Sequence, residues 1–293
     1  MPAANPETRA TRIGVVAPAS RLDPALAEKV SALAAARYPD GPDGTVELVF
    51  HPQCFLLSGH FAGEDAARAA AFLEVANDPG VDAVWFARGG YGSGRIAEEA
   101  LPRLEPAARA KCYLGYSDVG SLLAGLYAQG FPHLAHGPMP SDIRREGGEA
   151  AVARALAWLV ARDPGSLEAN VAAGTKSAAF NITILSHLLG TPLQPDLAGH
   201  VLMLEETEEQ MYRIDRALFH ITSNPGIRAA AGIRLGRCGD ILPNDPDFVL
   251  GEEEVVTHWC AKSGIPYLGR ADIGHDAANK VVPFGDGPPD GAR

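Results

Sequence analysis

Residues 111–130 read KCYLGYSDVGSLLAGLYAQG, an apolar run that ends in Gly-Tyr-Ser-Asp and passes at once into an Ala/Leu-rich helical pattern. A buried strand running straight into a helix is the unit of a parallel sheet, because parallel neighbours need a crossover and the helix supplies it. The junction residue, Ser117, has two readings. As a helix cap, its hydroxyl accepts from an N–H of the first turn, and Asp118 suits that role equally. As a nucleophile elbow, its Oγ projects at the C-terminal edge of the sheet, with Gly115 two residues earlier permitting the tight turn. The pattern is Gly-x-Ser-x-Val, not Gly-x-Ser-x-Gly, so the usual α/β-hydrolase motif is not met and the elbow alone decides nothing.

The alternation extends to both sides. RIGVVAPAS (12–20), TVELVF (45–50) and VDAVWFA (81–87) have the composition of strands. DPALAEKVSALAAAR (23–37), with Asp23 as cap and Pro24 at the first helical position, and EDAARAAAFLEVAND (64–78) have helical spacing, and a further helix is expected from about Ile96. Residues 11–140 therefore read as an α/β unit with a parallel sheet covered on both faces. Residues 141–178 form a linker region: a polar Pro/Gly loop, the helix EAAVARALAWLVARD and the connector DPGSLEANVAAGTKS. In 179–288 follow a helix in ITILSHLLG, a strand in HVLMLEE, a helix in YRIDRALFHITS, and strands in AGIRLGRC, PYLGRADIG and KVVPFG. No internal repeat or low-complexity segment is visible.

Composition narrows the function. A chain of 293 residues, 46% hydrophobic, can build its core without disulfide or metal staples. A net charge of −11 and a pI near 5.3 argue against a nucleic-acid binder and against an anionic membrane surface. A small cationic or zwitterionic ligand stays open. The four cysteines, Cys54, Cys112, Cys238 and Cys260, include no Cys-x-x-Cys pair and read as buried reduced thiols of a cytosolic protein. MPAANPETRATR has no apolar signal-peptide core, and no apolar run reaches the ~18 residues of a membrane span. A cytoplasmic protein is expected.

A serine nucleophile needs a base, and the base needs an orienting carboxylate. Among the nine histidines, His187, His220 and His258 lie in helical patterns, and His51, His60 and His200 flank strands or turns. His275 stands apart, in a Gly-His-Asp loop at the end of a strand, where catalytic groups of open α/β sheets gather; the alternative is a solvated loop histidine. Glu205, the last residue of the strand VLMLE, is partly buried by position and needs a partner that an imidazole N–H would supply. Glu206, Glu208 and Glu209 follow, and read otherwise as an acidic run opening a helix. That run has no histidine at a fitting spacing, so no metal is expected.

The loop RGGYGSGR (88–95) also has two readings. Gly92-Ser93-Gly94-Arg95-Ile96-Ala97 fits Gly-x-Gly-x-x-Ala, with Asp118 about 20 residues on, as a dinucleotide-binding oxidoreductase would want. Four residues separate the strand from the first of those glycines, whereas the fingerprint turns directly off its strand. The other reading points the N–H groups of Gly89 or Gly90, with that of Asp118, at a developing oxyanion.

Taken in order, NDPGVDAVWFARGGYGSGR, GYSD with its Leu/Ala helix, AHGPM, FNITILSHLLGTP, LMLEETEEQMYRIDR and GHDAANKVVPFG resemble the LD-carboxypeptidases, serine peptidases of the muramoyltetrapeptide carboxypeptidase type that include the microcin-immunity peptidases. The resemblance spans about 200 residues. It implies a flavodoxin- or Rossmann-like N-terminal sheet domain, a smaller β-rich α/β C-terminal domain, and a site in the cleft between them. It implies a triad of nucleophile Ser117, acid Glu205 and base His275, with an oxyanion hole from the N–H groups of Asp118 and Gly90. The family often has Leu-Glu-Asp where this chain has Leu-Glu-Glu, which makes Glu206 a second choice for the acid. The family's Gly-Gly-Asn-Leu-Ser stands here as Ala179-Phe180-Asn181-Ile182-Thr183. The implied reaction releases terminal D-Ala from a murein tetrapeptide in peptidoglycan recycling, without a cofactor, in a homodimer. A peptidyl-nucleotide substrate is the alternative within the same chemistry. Arg88 is a candidate for the substrate carboxylate by its fork geometry, or else a brace of the glycine loop.

Overall fold

The computed structural model describes residues 10–39 and 45–287. The MPAANPETR segment read for a leader, and residue 288 of the second unit, lie outside the described residues. Six strands form the first sheet: β1 (Thr11–Val16), β2 (Val46–Phe50), β3 (Ala83–Phe86), β4 (Cys112–Gly115), β5 (Leu134–His136) and β10 (Val282–Pro283). Five form the second: β6 (Lys176–Asn181), β7 (Val201–Thr207), β8 (Gly232–Gly239), β9 (Tyr267–Arg270) and β11 (Gly285–Asp286). The helices are α1 (Pro24–Arg37), α2 (Asp65–Asn77), α3 (Ser93–Ala100), α4 (Gly120–Ala128), α5 (Gly148–Ala161), α6 (Ile182–Leu188), α7 (Met211–Ser223), α8 (Pro225–Arg228) and α9 (Glu252–Ser263).

The first sheet runs β10-β5-β4-β3-β1-β2, parallel except for β10. This is the flavodoxin-like order, whose switch point lies between β1 and β3, and ligands of such sheets sit beyond the strand ends there. The second sheet, β11-β6-β7-β8-β9, is parallel except for β11. The fold is α/β with two mostly parallel sheets. The end of the chain joins them, since β10 pairs with β5 of the first sheet and β11, two residues later, with β6 of the second.

Local chemistry explains the elements. Asp23 caps α1 by accepting from the Ala25 N–H, Pro24 follows, and Ala27, Val30 and Ala34 bury one face. β3 and β4 are buried at every position, as strands covered on both faces must be. One apolar cluster runs from Phe72, Phe86 and Leu122 of the first half to Phe180, Leu204 and Ile233 of the second, so the halves share a core. Of the cysteines, Cys54, Cys112 and Cys260 are buried and Cys238 is half-buried, all as free thiols. Among the described residues no helix is long and apolar enough to cross a membrane, and no group of three or more His, Cys, Asp or Glu is placed to hold a metal.

Candidate active site

The loops after β1, β3 and β4 meet at the switch point. Ser117 opens a short 3₁₀ turn (Ser117–Val119) between β4 and α4, with φ of +63°. A β-carbon in that region is strained, and such strain collects at functional positions. Neither the turn nor α4 has a side-chain cap, so Ser117 is not the cap residue of the bland reading. Asp118 caps a different element: its Oδ2 accepts from the Ser93 N–H of α3 at 2.8 Å. Burial pushes the Asp118 carboxyl up from its ordinary value, and the Ser93 donor opposes that. The group needed at a ribose by the dinucleotide reading is thus buried and engaged at the helix start.

Two glycines make room for the elbow. A Cβ on Gly115 would come within 2.7 Å of Val119 Cγ2 and 2.9 Å of Phe86 Cδ2. One on Gly89 would stand 2.9 Å from Ser117 Oγ. Gly90 has φ of +109°, and its Cβ would meet Ser20 Oγ at 2.3 Å, so the loop after β3 lies flat on the loop after β1. Arg68, fully buried, ties the same loops by donating to the carbonyls of Pro18 and Gly92. Gly90 and Asp118 line the cleft beside Ser117. Asp118 stands in a first turn, where an N–H has no intrahelical acceptor.

From the second sheet, Glu205 enters at the C-terminal end of β7, fully buried. The β7–β8 register shifts between Leu204 and Glu206, so Gly236 and Arg237 both face Glu205, a bulge of the kind that re-aims side chains. A Cβ on Gly236 would lie 2.9 Å from Glu205 Cβ. Glu205 Oε2 sits 2.6 Å from His275 Nδ1. Burial works against the imidazolium, but the Glu205 charge and hydrogen bond, with Asp142 further off, outweigh it and hold the His275 pKa above its ordinary value. Glu206 is placed elsewhere. It accepts from Asn181 Nδ2, Thr183 N, Thr183 Oγ1 and its neighbour Thr207 N, and so secures the start of α6. Glu205, not Glu206, is the acid beside the histidine.

The loop that carries His275 is clamped from three sides. Arg237 of β8 forms ion pairs with Asp272 and Asp276. Arg154 of α5 donates to the carbonyls of Ala277 and Asn279 at 3.2 and 2.6 Å, and Glu168 Oε1 accepts from the Asp272 N–H. The Tyr116 ring lies 4.7 Å from the His275 ring and is itself fixed by its hydroxyl, which donates to Asp142 Oδ1 at 2.8 Å.

Ser117 and His275 line one cleft of about 420 Å³ between the halves. Its N-terminal wall carries Arg88, Arg144 and Arg145, and its C-terminal wall Glu206, Glu208, Glu209 and Asp240. Arg88 does brace a loop, with Nη1 donating to the Arg21 carbonyl at 3.2 Å. Arg88 also lines the cleft, and burial, then Arg144 and Arg21, lower its pKa. Asp142, Arg144, Arg145 and Thr183 were not singled out from sequence. The run GPMPSDIRR holds three of them, in and just behind a short turn after β5, and the partners of Asp142, namely Tyr116, Arg145 and the Met139 N–H, reveal its purpose.

A serine elbow and a buried Glu–His pair thus face one cleft between the two sheets, an arrangement open to hydrolytic chemistry. The chain belongs to the LD-carboxypeptidase family: residues 13–137 match its N-terminal domain and residues 177–287 its C-terminal domain. It is a carboxypeptidase. It is 30% identical to the murein tetrapeptide carboxypeptidase of Pseudomonas aeruginosa over 246 residues, which covers 77% of this chain and 78% of that protein. The fold is similar to that of a muramoyltetrapeptide carboxypeptidase from Oxalobacter formigenes (TM-score 0.75, 22% identity, 93% of each chain covered). It is also similar to that of the microcin self-immunity protein MccF bound to glutamyl sulfamoyl guanosine (TM-score 0.73, 18% identity, 94% of this chain and 91% of that one).

Proposed function

We propose that the chain is an LD-carboxypeptidase that releases terminal D-Ala from a murein tetrapeptide through a Ser117–His275–Glu205 triad, in peptidoglycan recycling in the cytoplasm. The observation that carries this reading is the 2.6 Å contact between His275 and a fully buried Glu205, in the cleft that Ser117 lines. His275 Nε2 takes the Ser117 proton as Oγ adds to the carbonyl of the diaminopimelate–D-Ala amide. The oxyanion faces the N–H groups of Asp118 and Gly90. His275 passes the proton to the leaving nitrogen, the C–N bond breaks and D-Ala departs. A water then gives its proton to His275, adds to the acyl-enzyme and frees the tripeptide and the Ser117 hydroxyl.

Charge supports this substrate class. Arg88 and Arg144 repel each other across the N-terminal wall, and an anionic ligand relieves that repulsion. The acidic wall opposite suits an ammonium group. A D-Ala carboxylate and the free amino group of a diaminopimelate side chain supply one of each. The test is a substrate comparison by mass spectrometry: tetrapeptide with D-Ala, tetrapeptide with L-Ala, and aspartyl sulfamoyl adenosine. Cleavage of the D-Ala peptide in preference to the others is expected. Cleavage of only the sulfamoyl nucleoside would replace the murein reading.

A further inference from the structure

A second cavity adjoins the cleft. It holds about 300 Å³ between α6 and α7 and is lined by His187 of α6 and by Arg213, Arg216 and His220 of α7. Thr183 and Glu209 line both this pocket and the cleft, so the two adjoin on the acidic side of the cleft. Met211, Ile214, Leu218 and Ile221 turn one face of α7 into the core. Arg213, Arg216, Ala217 and His220, at i, i+3, i+4 and i+7, share another. Ala217, between the longer side chains, has too little bulk to fill the space. The solvent face of an amphipathic helix carries charge as a matter of course. Here its sign and its place are unusual. The chain has a net charge of −11, yet this pocket gathers two guanidinium groups and two imidazoles against one carboxylate, Glu209. Arg216 has no carboxylate partner among the described residues, and its guanidinium lies 5.5 Å from the centre of the Tyr212 ring. Ser186, 8% exposed, bonds to Nδ1 of His220 at 3.0 Å and holds that ring in the wall.

Arg213 pairs with Glu209 at 3.6 Å, the two side chains being 49% and 20% exposed. So long and open an ion pair contributes little and is readily exchanged for a ligand. What replaces it must bring a cation to Glu209 and an anion to the arginines, on neighbouring atoms. The end of the diaminopimelate side chain is such a group, since one carbon carries both an ammonium and a carboxylate. We propose that this pocket is the subsite for that carboxylate: Arg213 and Arg216 hold it while Glu209 holds the ammonium beside it. This rests on the murein reading above. The site then presents its charges in the order the ligand needs. The basic wall of Arg88 and Arg144 takes the D-Ala carboxylate, the acidic wall takes the ammonium, and the basic pocket adjoining that wall takes the second carboxylate. The planar fork of arginine suits a carboxylate. A lysine at the same place in the peptide would offer the ammonium alone and leave both arginines without their anion. Arg213 and Arg216 are thus specificity-determining residues for the third position of the peptide.

Three tetrapeptides test this: one with diaminopimelate, one with that side-chain carboxyl amidated, and one with L-lysine in its place. The wild type should cleave the first with a KM about 10- to 100-fold below that of the other two, the worth of a hydrogen bond to a charged group. Arg213→Ala and Arg216→Ala should each bring the diaminopimelate peptide toward the level of its amide, mainly in KM. Arg216→Lys keeps the charge without the fork and should recover part of the preference. A preference absent from the wild type, or kept in both alanine variants, would overturn the subsite, as would an equal loss for all three peptides. Wild-type protein that releases D-Ala from none of the three would instead sink the proposed function. The subsite is then decided by calorimetric binding of the same peptides to Ser117→Ala with and without Arg216→Ala. Tighter binding of the diaminopimelate peptide that Arg216→Ala abolishes would uphold it, and equal binding of all three would overturn it.

Discussion

Glu205 and His275 lie 70 positions apart in the chain and meet at 2.6 Å. Each comes from a strand end or loop of the second half, while Ser117 comes from the first, so the proposed triad comes together only where the two sheets are docked. Glu205→Gln preserves the shape and removes the charge. In the triad reading it lowers kcat by about 10³- to 10⁴-fold with little change in KM. Glu206→Gln acts differently, because Glu206 accepts from Asn181 and Thr183 and secures the start of α6. Its effect is on stability first, about 1–3 kcal/mol by denaturant titration. Equal kinetic losses in the two variants would contradict the assignment.

The acid limb of kcat/KM should lie above the ordinary histidine value of about 6.5. In the triad reading His275 must be neutral to accept the Ser117 proton, and its pKa in the fold is raised. The same shifts act on stability with opposite signs. His275, raised on folding, contributes stability below pH ~6.5 that is lost as pH rises through its folded value. His136, lowered to about 4 on folding, contributes stability above pH ~6.5 that is lost as pH falls toward 4. Chemical denaturation at a series of pH values checks this: His136→Gln should flatten the acid side of the stability curve, and an unchanged acid side would count against the buried neutral ring.

Ser117 holds φ of +63°, a conformation that a glycine adopts without strain. Ser117→Gly should therefore be inactive and more stable than Ser117→Ala by about 1 kcal/mol, seen in thermal melts. A glycine variant less stable than the alanine variant would mean that the elbow carries no strain.

Arg88→Ala should raise KM about tenfold or more for the tetrapeptide with a smaller change in kcat, the signature of lost ground-state binding. Arg88→Lys keeps the charge without the fork and should fall between. A loss in kcat alone would assign Arg88 to bracing the Arg21 carbonyl.

The strand–helix alternation of the first half was legible because each buried strand is a near-continuous apolar run with a turn signal behind it. Ser117, Glu205 and His275 were legible as polar groups at the ends of such runs. β5 was not: three residues, Leu134–His136, are too few to show a period, and His136 went unassigned with them. β6 begins with Lys-Ser-Ala-Ala, a poor strand composition, and its first residues read as connector; pairing with β7 decides them. The helix expected from about Ile96 starts at Ser93, because the Asp118 carboxylate caps it from 25 residues away. The choice between Glu205 and Glu206 was open for the same reason. Adjacent strand residues face opposite sides, and sequence does not say which side holds the histidine.

The central claim is that Ser117 attacks the amide of a murein tetrapeptide. It is tested most directly by incubating the purified protein with L-Ala-D-Glu-diaminopimelate-D-Ala beside its Ser117→Ala variant and following free D-Ala by mass spectrometry. The account predicts release by the wild type and none by the folded variant. Release by both would contradict Ser117 as the nucleophile, and release by neither would contradict the substrate.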